Sequence, residues 1–317
     1  MLKSTQMRSI NYLTISFILL LGCNNSPKRD NISIKKNDPY VNIFVNEKIN
    51  LDSCSIIIDP YDRKDFSIIK KGSKYGLVNN ENQLLLPAEY DTIERPRLAD
   101  YFFITKNNLS GVVTSDGILT VPIYYEHIEH DWKEQKSGEE DCFIIQKNRK
   151  LGSIDFYNTI IIPIEYDGIS NWVEYGPDAH YVKKGTQYGI IDYNTGKMII
   201  PVEFDGIVDH RGLIEIKKMG RYGIISWKNK EIIPCIYDRI YVDIDYFGFE
   251  QNHKDRIFAQ KNNVWYEFLL SGKLLKSNVL TSEIDKDFLN YSPDSNEYRY
   301  HLKDCMVFPK IHTNEEK

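Results

Sequence analysis

The chain has 317 residues, a formal charge of −5, 42% hydrophobic residues and 27% charged ones. This is the balance of a folded globular protein, and its mild acidity argues against nucleic acid as a partner. Tyrosine is over-used, with 22 residues, and aromatics reach 13%.

The first element in the chain is an address. Lys3 and Arg8 precede a ten-residue apolar run, Tyr12–Leu21. Such a run is too short to cross a bilayer and has the build of a secretory signal over residues 1–22. It ends in Leu20-Leu21-Gly22-Cys23, which resembles a bacterial lipobox. That resemblance implies cleavage before Cys23 and acylation of its thiol and freed amine, with two or three acyl chains giving stable anchoring. The expected location is the bacterial cell envelope, lipid-anchored and facing the periplasm or the outside. Residues 23–40 are polar and lysine-rich and read as a flexible tether. Residues 41–65 read as an N-terminal cap.

The body repeats itself. Five segments, Phe66–Ile93, Phe102–Ile128, Phe143–Ile169, Tyr181–Ile207 and Ile214–Ile240, share one template. A glycine recurs at Gly76, Gly111, Gly152, Gly189 and Gly223, at intervals of 35, 41, 37 and 34 residues. Eleven residues later, or twelve in the fourth unit, stands Pro87, Pro122, Pro163, Pro201 or Pro234. Three residues beyond each proline comes an aromatic (Tyr90, Tyr125, Tyr166, Phe204, Tyr237), followed by an acid and, two residues on, by isoleucine. Lys71, Lys106, Lys147, Lys184 and Lys218 each precede the glycine by five residues.

A sixth, degraded copy occupies residues 241–280. Lys261 holds the lysine slot, Trp265 the aromatic slot, and Tyr266 replaces the glycine, while the proline and the Tyr-Asp pair are gone. An end unit that meets water is expected to look atypical. Upstream, Ile56–Asp62 resembles the tail of a unit without its front. Residues 281–317, including Cys305-Met306-Val307-Phe308, remain to cover the apolar edge of the last unit.

Each unit reads as short strands. A β-rich run leads to two turn residues, such as Gly72-Ser73, Asn107-Asn108 or Gly185-Thr186, which signals a tight hairpin. A second turn leads to an apolar run ending in the proline, which cannot donate to a ladder and belongs at a strand end or edge. The expectation is an all-β tandem array of five to six hairpin-rich units of 34–41 residues. An open curved array is expected, with propeller-like closure as the alternative.

The spaced glycine, proline and Tyr-Asp-x-Ile pattern resembles the WG-repeat family over residues 56–280. One departure is plain: the slot before the glycine holds Tyr75, Ser110, Leu151, Tyr188 and Tyr222, never tryptophan. The resemblance implies a module that presents surface, without a shared catalytic activity or cofactor.

The chemistry-bearing residues weigh toward structure. The repeated lysines sit before tight turns, where a long stem covers a neighbouring aromatic, and the acid after each aromatic offers a partner between units. Glu126–Asp131 packs two histidines and three acids into six residues. His127 and His130 are therefore weak metal candidates; a site would need both imidazoles on one side and a third ligand. Half of that stretch is already explained by the template, which leaves both histidines in a connecting loop. His210, His253 and His301 lack partners at informative spacing. No nucleophile elbow, P-loop, zinc-protease or dinucleotide motif occurs.

Cys54, Cys142, Cys235 and Cys305 allow three pairings; Cys235, beside Pro234, reads as a small core residue, and Cys54 and Cys305 flank the array. The functional expectation is a non-catalytic envelope scaffold that binds a protein partner through variable loops: Arg95–Tyr101, Glu129–Asp141, Asn171–His180 and Asp209–Gly212. Trp132, Trp172 and Tyr175 are the candidate contact residues. The alternatives are a glycan binder using those aromatics and a metal-dependent enzyme using the Glu126–Asp131 cluster.

Overall fold

The computed structural model describes residues 41–49, 54–57, 65–96, 99–131, 142–170, 178–244, 254–284 and 306–310. Cys23, the tether, Trp132, Trp172, Tyr175 and Cys305 lie outside the described residues.

The strands form six antiparallel sheets, each built on a four-stranded meander of consecutive strands. Sheet I comprises Ser55–Ile57, Phe66–Lys71, Lys74–Asn79 and Gln83–Tyr90; sheet II comprises Thr92–Glu94, Tyr101–Lys106, Leu109–Thr114 and Ile118–Tyr125. Sheet III follows with His127–His130, Cys142–Lys147, Lys150–Asp155 and Ile160–Tyr166, and sheet IV with Gly168–Ser170, Ala179–Lys184, Gln187–Asp192 and Met198–Phe204. Sheet V uses Gly206–His210, Leu213–Lys218, Arg221–Ser226 and Glu231–Tyr237. Sheet VI uses Arg239–Asp243, Arg256–Lys261, Val264–Phe268 and Leu274–Ser277. Six separate hydrogen-bonded sheets do not make a closed barrel.

The structural unit is out of phase with the sequence template. Each template aromatic ends the fourth strand of one sheet, the acid makes the crossover, and the isoleucine lies on the first strand of the next sheet. A lone unit cannot cover its own apolar face, so the chain hands over from sheet to sheet through residues that belong to both. The packing follows this handover. Leu77, Leu86 and Tyr90 of sheet I meet Ile93, Phe102, Ile104 and Val113 of sheet II. Equivalent clusters lie between sheets II and III, III and IV, IV and V, and V and VI. Every template aromatic and isoleucine is buried, and each fully buried Ile, Leu or Val contributes about 1.5–3 kcal/mol. On the far side of sheet VI, Phe258 and Trp265 pack under Val279 and Ile284.

The glycine and the proline of the template serve one contact. Across sheets I to V the fourth strand bulges around its proline: Tyr75 pairs with Tyr90 but Leu77 pairs with Leu86, so the fourth strand carries two extra residues. The same shift recurs in the other four. The bulged backbone presses against the glycine of the third strand. A Cβ on Gly76, Gly111, Gly152 or Gly189 would stand 2.6–2.7 Å from a carbonyl oxygen of the fourth strand, and on Gly223 2.7 Å from the Cys235 Cα. The proline does not end the strand; it sits within it on the outermost strand of the meander, where a missing donor leaves no ladder bond unmade. In sheet VI, Tyr266 pairs with Ser277 and Glu267 with Lys276 without displacement. With no proline bulge there is room for a side chain, so the two template residues disappear together.

The second and third strands are joined by two residues in every sheet. Both turn residues have positive φ at Asn107 and Asn108 (55° and 60°) and at Asn262 and Asn263 (51° and 62°), the primed-turn geometry that asparagine tolerates.

Segments outside the meanders dock on sheet edges. Asn42 Nδ2 donates to the Asp116 carbonyl at 3.0 Å, and Glu47–Lys48 pairs with Gln83–Leu84. Met306–Val307 pairs antiparallel with Ile169–Ser170 of sheet IV. The hydrophobic C-terminal segment therefore serves the fourth sheet, not the last unit, because a free first-strand edge offers unmade backbone hydrogen bonds there.

Candidate functional site

The template acids and lysines are tied into the joints between sheets. Asp91, Glu126, Asp167, Asp205 and Asp238 each aim a carboxylate at the two-residue turn of the following sheet. They accept the backbone N–H of Asn108 (3.4 Å), Asn148 (2.8 Å), Gly185 (2.7 Å), Met219 (2.7 Å) and Asn262 (2.7 Å). Lys74, Lys150 and Arg221 pair with Asp91, Asp167 and Asp238. Three of the five template lysines take different partners, the glutamates one residue before the aromatic: Lys106 with Glu89 (2.8 Å), Lys184 with Glu165 (3.2 Å) and Lys218 with Glu203 (3.2 Å). Lys147 meets Tyr124 instead, 3.1 Å above its ring. These four lysines thus form joints between sheets rather than a row of free ammonium groups.

These joints carry a pH dependence. Burial pushes the Asp91 carboxyl up, but the Lys74 ammonium and the turn N–H groups outweigh it and hold it below its ordinary value. Asp167 is held down by Lys150 and by the Gly185 N–H. A folded value below the unfolded one means the unfolded chain binds protons more readily. The stabilisation is complete above the unfolded carboxylate value of about 3.9 and is lost as pH falls through the lower folded values. The melting temperature should therefore drop below about pH 4, and less steeply in Asp91→Asn/Asp167→Asn. Parallel melting profiles for the two proteins would show that these carboxylates do not carry the effect.

His127 and His130 lie on the first strand of sheet III, not in a loop. They are three residues apart on a strand and so face opposite sides. His127 stands opposite Gln146, and His130 opposite Phe143. His127 contacts Glu129 at 3.2 Å. Among the described residues no group of three His, Cys, Asp or Glu side chains is placed to hold a metal ion. Cys235 is half-buried, its thiol donating to the Arg221 carbonyl at 3.2 Å, and burial pushes that thiol's pKa up.

Two buried acid–histidine pairs escaped the sequence reading. His210 meets Glu215 at 3.0 Å across the hairpin of sheet V. The signal was legible: a tight Arg211-Gly212 turn brings residues five apart onto neighbouring strands. Asp131, at the end of the first strand of sheet III, meets His180 of sheet IV at 3.1 Å, with side chains 0% and 2% exposed. Forty-nine residues and a sheet boundary separate these two, so no local spacing announces them. The other imidazole nitrogen faces the Ser170 carbonyl, while the Ser170 hydroxyl accepts the Tyr181 N–H at 2.8 Å. The hydroxyl is thus turned away from the imidazole, and the trio lacks the serine–histidine contact of an activated nucleophile.

The variable loops share one end of the sheets. In an up-and-down meander the first-to-second connections emerge opposite the second-to-third turns. The acid-capped end has two-residue turns throughout, whereas the other end has connections of two residues (Arg211-Gly212) up to twelve (244–255). Loop length also tracks the period: the longest interval, 41 residues, spans the eleven-residue connection 131–141, and the shortest, 34, spans Arg211-Gly212. All four predicted loops are therefore connections within a sheet rather than links between sheets, Asp209–Gly212 being a tight hairpin, and the connection 244–255 joins the set.

Comparison with known proteins agrees with this architecture at the level of the repeat. No curated protein sequence matches the chain. Among solved structures it is similar to a eukaryotic initiation factor, at 10% identity and a TM-score of 0.33, covering 67% of this chain and 62% of that one. Kluyveromyces lactis Hsv2 gives 9% identity and 0.28, covering 80% and 82%. The fission-yeast SCAP WD40 domain gives 8% and 0.27, covering 78% and 74%. At these scores none of the three bears on fold or function. The chain spans 62% of the length of the initiation factor chain. The family model described as WG containing repeat matches residues 75–109 and 188–220. Both stretches begin at the slot before a template glycine and run to the tight turn of the following sheet. The protein is an all-β repeat protein in which sheets I–II and IV–V carry stretches of the WG containing repeat.

Proposed function

We propose that this chain is a lipid-anchored repeat protein of the bacterial envelope that holds a protein partner on its loop-bearing end and acts by binding rather than catalysis. The contrast between the two ends of the sheets carries the reading. One end has a two-residue turn in every sheet, and in sheets II to VI that turn is held by a carboxylate; the other end varies from two to twelve residues on an unchanged scaffold. Variable loops on a repeated rigid frame are where recognition concentrates. Trp132, Trp172 and Tyr175 fall within two of those loops, and aromatics there supply contact area at low entropic cost.

The test is crosslinked capture from the native envelope with the wild type and with Trp132→Ser/Trp172→Ser. A specific protein retained by the wild type and lost from the variant is expected; equal retention would move the contact away from these loops. Anchoring has its own test. Cys23→Ser should move the protein from the membrane pellet to the soluble fraction, because removing the acylated thiol removes the buried CH₂ groups. Unchanged pelleting would remove the lipid anchor from the proposal.

A further inference from the structure

We propose that the free edge of the first strand of sheet IV, together with Gln146, is a docking site for an extended segment of a partner protein, and that Met306–Lys310 is a tethered occupant of that site. This goes beyond the loop-bearing end and does not depend on it.

The site is built for a strand that comes from elsewhere in the chain. Ile169 pairs with Val307 and Ser170 with Met306, antiparallel. The Gln146 amide, on a residue 1% exposed, then grips the backbone of Lys310 at both ends: Oε1 accepts the Lys310 N–H at 2.6 Å and Nε2 donates to the Lys310 carbonyl at 3.0 Å. Nε2 also donates to Glu126 Oε2 at 2.9 Å, which fixes the orientation of the amide. Gln146 reads main chain, not side chain, so the residue at this point is free to vary. That is the economy of strand addition, where the backbone supplies affinity and alternate pockets supply selection.

The pockets choose apolar residues. Met306 enters the cluster between sheets IV and V, and Val307 packs on the cluster between sheets III and IV. Phe308 lies under the Lys183 ammonium, 5.4 Å from the ring centroid. Pro309, half-buried, follows. Gly168 leaves the space that the docked residues fill: a Cβ there would stand 2.6 Å from the Met306 Cε, 3.2 Å from Phe308 Cε1 and 3.4 Å from the Val307 carbonyl oxygen, so the branched side chain of valine would crowd the docked segment rather than its own sheet. The corresponding Gly206 of sheet V meets only the Lys217 Cβ, at 3.5 Å. The partner is therefore a protein with an exposed extended segment of two apolar residues, an aromatic and a proline.

Twenty-one residues separate Met306 from Ile284. Occupation of the site by a segment of the same chain is intramolecular, and linked segments reach effective concentrations on the order of millimolar. The tail is thus a competitor in cis, and release of the tail opens the site.

The probe is a labelled peptide of residues 306–313, Met-Val-Phe-Pro-Lys-Ile-His-Thr, titrated by fluorescence anisotropy into the full chain. Val307→Asp, which expels the tail, should bind it at least about tenfold more tightly than the wild type. Adding Gly168→Val should abolish that gain. Equal binding by wild type and Val307→Asp, no saturable binding by either, or indifference to Gly168→Val would each overturn the proposal. If Val307→Asp melts without cooperativity, Phe308→Ser, at a half-exposed position, takes its place with the same outcomes. Peptide libraries selected on the tail-released chain should enrich apolar-apolar-aromatic-proline; unrelated enrichment overturns the partner chemistry. A concentration-dependent wild-type dimer that Gly168→Val abolishes would place a second copy of the chain in the site and overturn the partner. The Trp132→Ser/Trp172→Ser capture stands or falls independently of all these results.

Discussion

Gly189→Val should cost about 3 kcal/mol, the upper end of what inserting atoms into a packed site costs. A Cβ at this position stands 2.7 Å from the Ile200 carbonyl oxygen and 2.9 Å from the Val202 nitrogen. Both are backbone atoms of the strand bulged around Pro201, and no rotamer change moves them. Valine suits a strand by propensity, so the loss isolates the contact from any backbone preference. The comparison that sharpens the test is Tyr266→Val. The same template slot in sheet VI already carries a side chain, where Tyr266 and Glu267 pair with Ser277 and Lys276 in unbroken register, and truncating it should cost about 1 kcal/mol. Denaturant midpoints check both. Equal losses at the two positions would mean that the proline bulge does not set the glycine, as would a loss at Gly189 no larger than that of the exposed Lys273→Ala.

Asp131→Ala should cost a similar amount, about 3 kcal/mol, for a different reason. His180 would keep its place against Tyr193, with ring centroids 5.0 Å apart, and its contact with the Ser170 carbonyl. Its other nitrogen would lose the carboxylate it faces. Removing one partner of a buried pair leaves the other uncompensated, whereas replacing both with apolar groups is often neutral. Asp131→Leu/His180→Phe should therefore recover more than half of the loss. Recovery in the double variant separates the pair's electrostatics from simple packing damage. A loss under about 1 kcal/mol for Asp131→Ala, or no recovery, would show that the pair does not join sheets III and IV.

How far the fold could be read from the chain depended on the range of the interaction behind each residue. The template lysines were legible as structural because the stem-over-aromatic role is local, although Lys106, Lys184 and Lys218 pair with the glutamates before the aromatic and not with the acids after it. The acids cap the next sheet's turn, a contact between units that requires the handover geometry to be known. His127 and His130 looked like a loop cluster because the template ends at the isoleucine; in the structure the first strand continues through them, and strand alternation separates the two imidazoles. The Met306–Phe308 segment was legible as apolar cover, but its destination was not. The last unit is its neighbour in sequence, whereas the free edge, Gly168 and Gln146 that receive it lie in sheets III and IV.

The sequence by itself determined the all-β class, the number of units and the slots that each unit spends on turns, bulges and core, because those depend on local propensity repeated at a fixed spacing. Tertiary structure alone decided that each sheet borrows its first strand from the template before it. It also decided that Asp131 finds His180, and that the C-terminal segment docks on sheet IV. These depend on which surfaces meet after the chain has folded, and hydrogen bonds, ion pairs and apolar contacts made at that distance leave no period in the sequence.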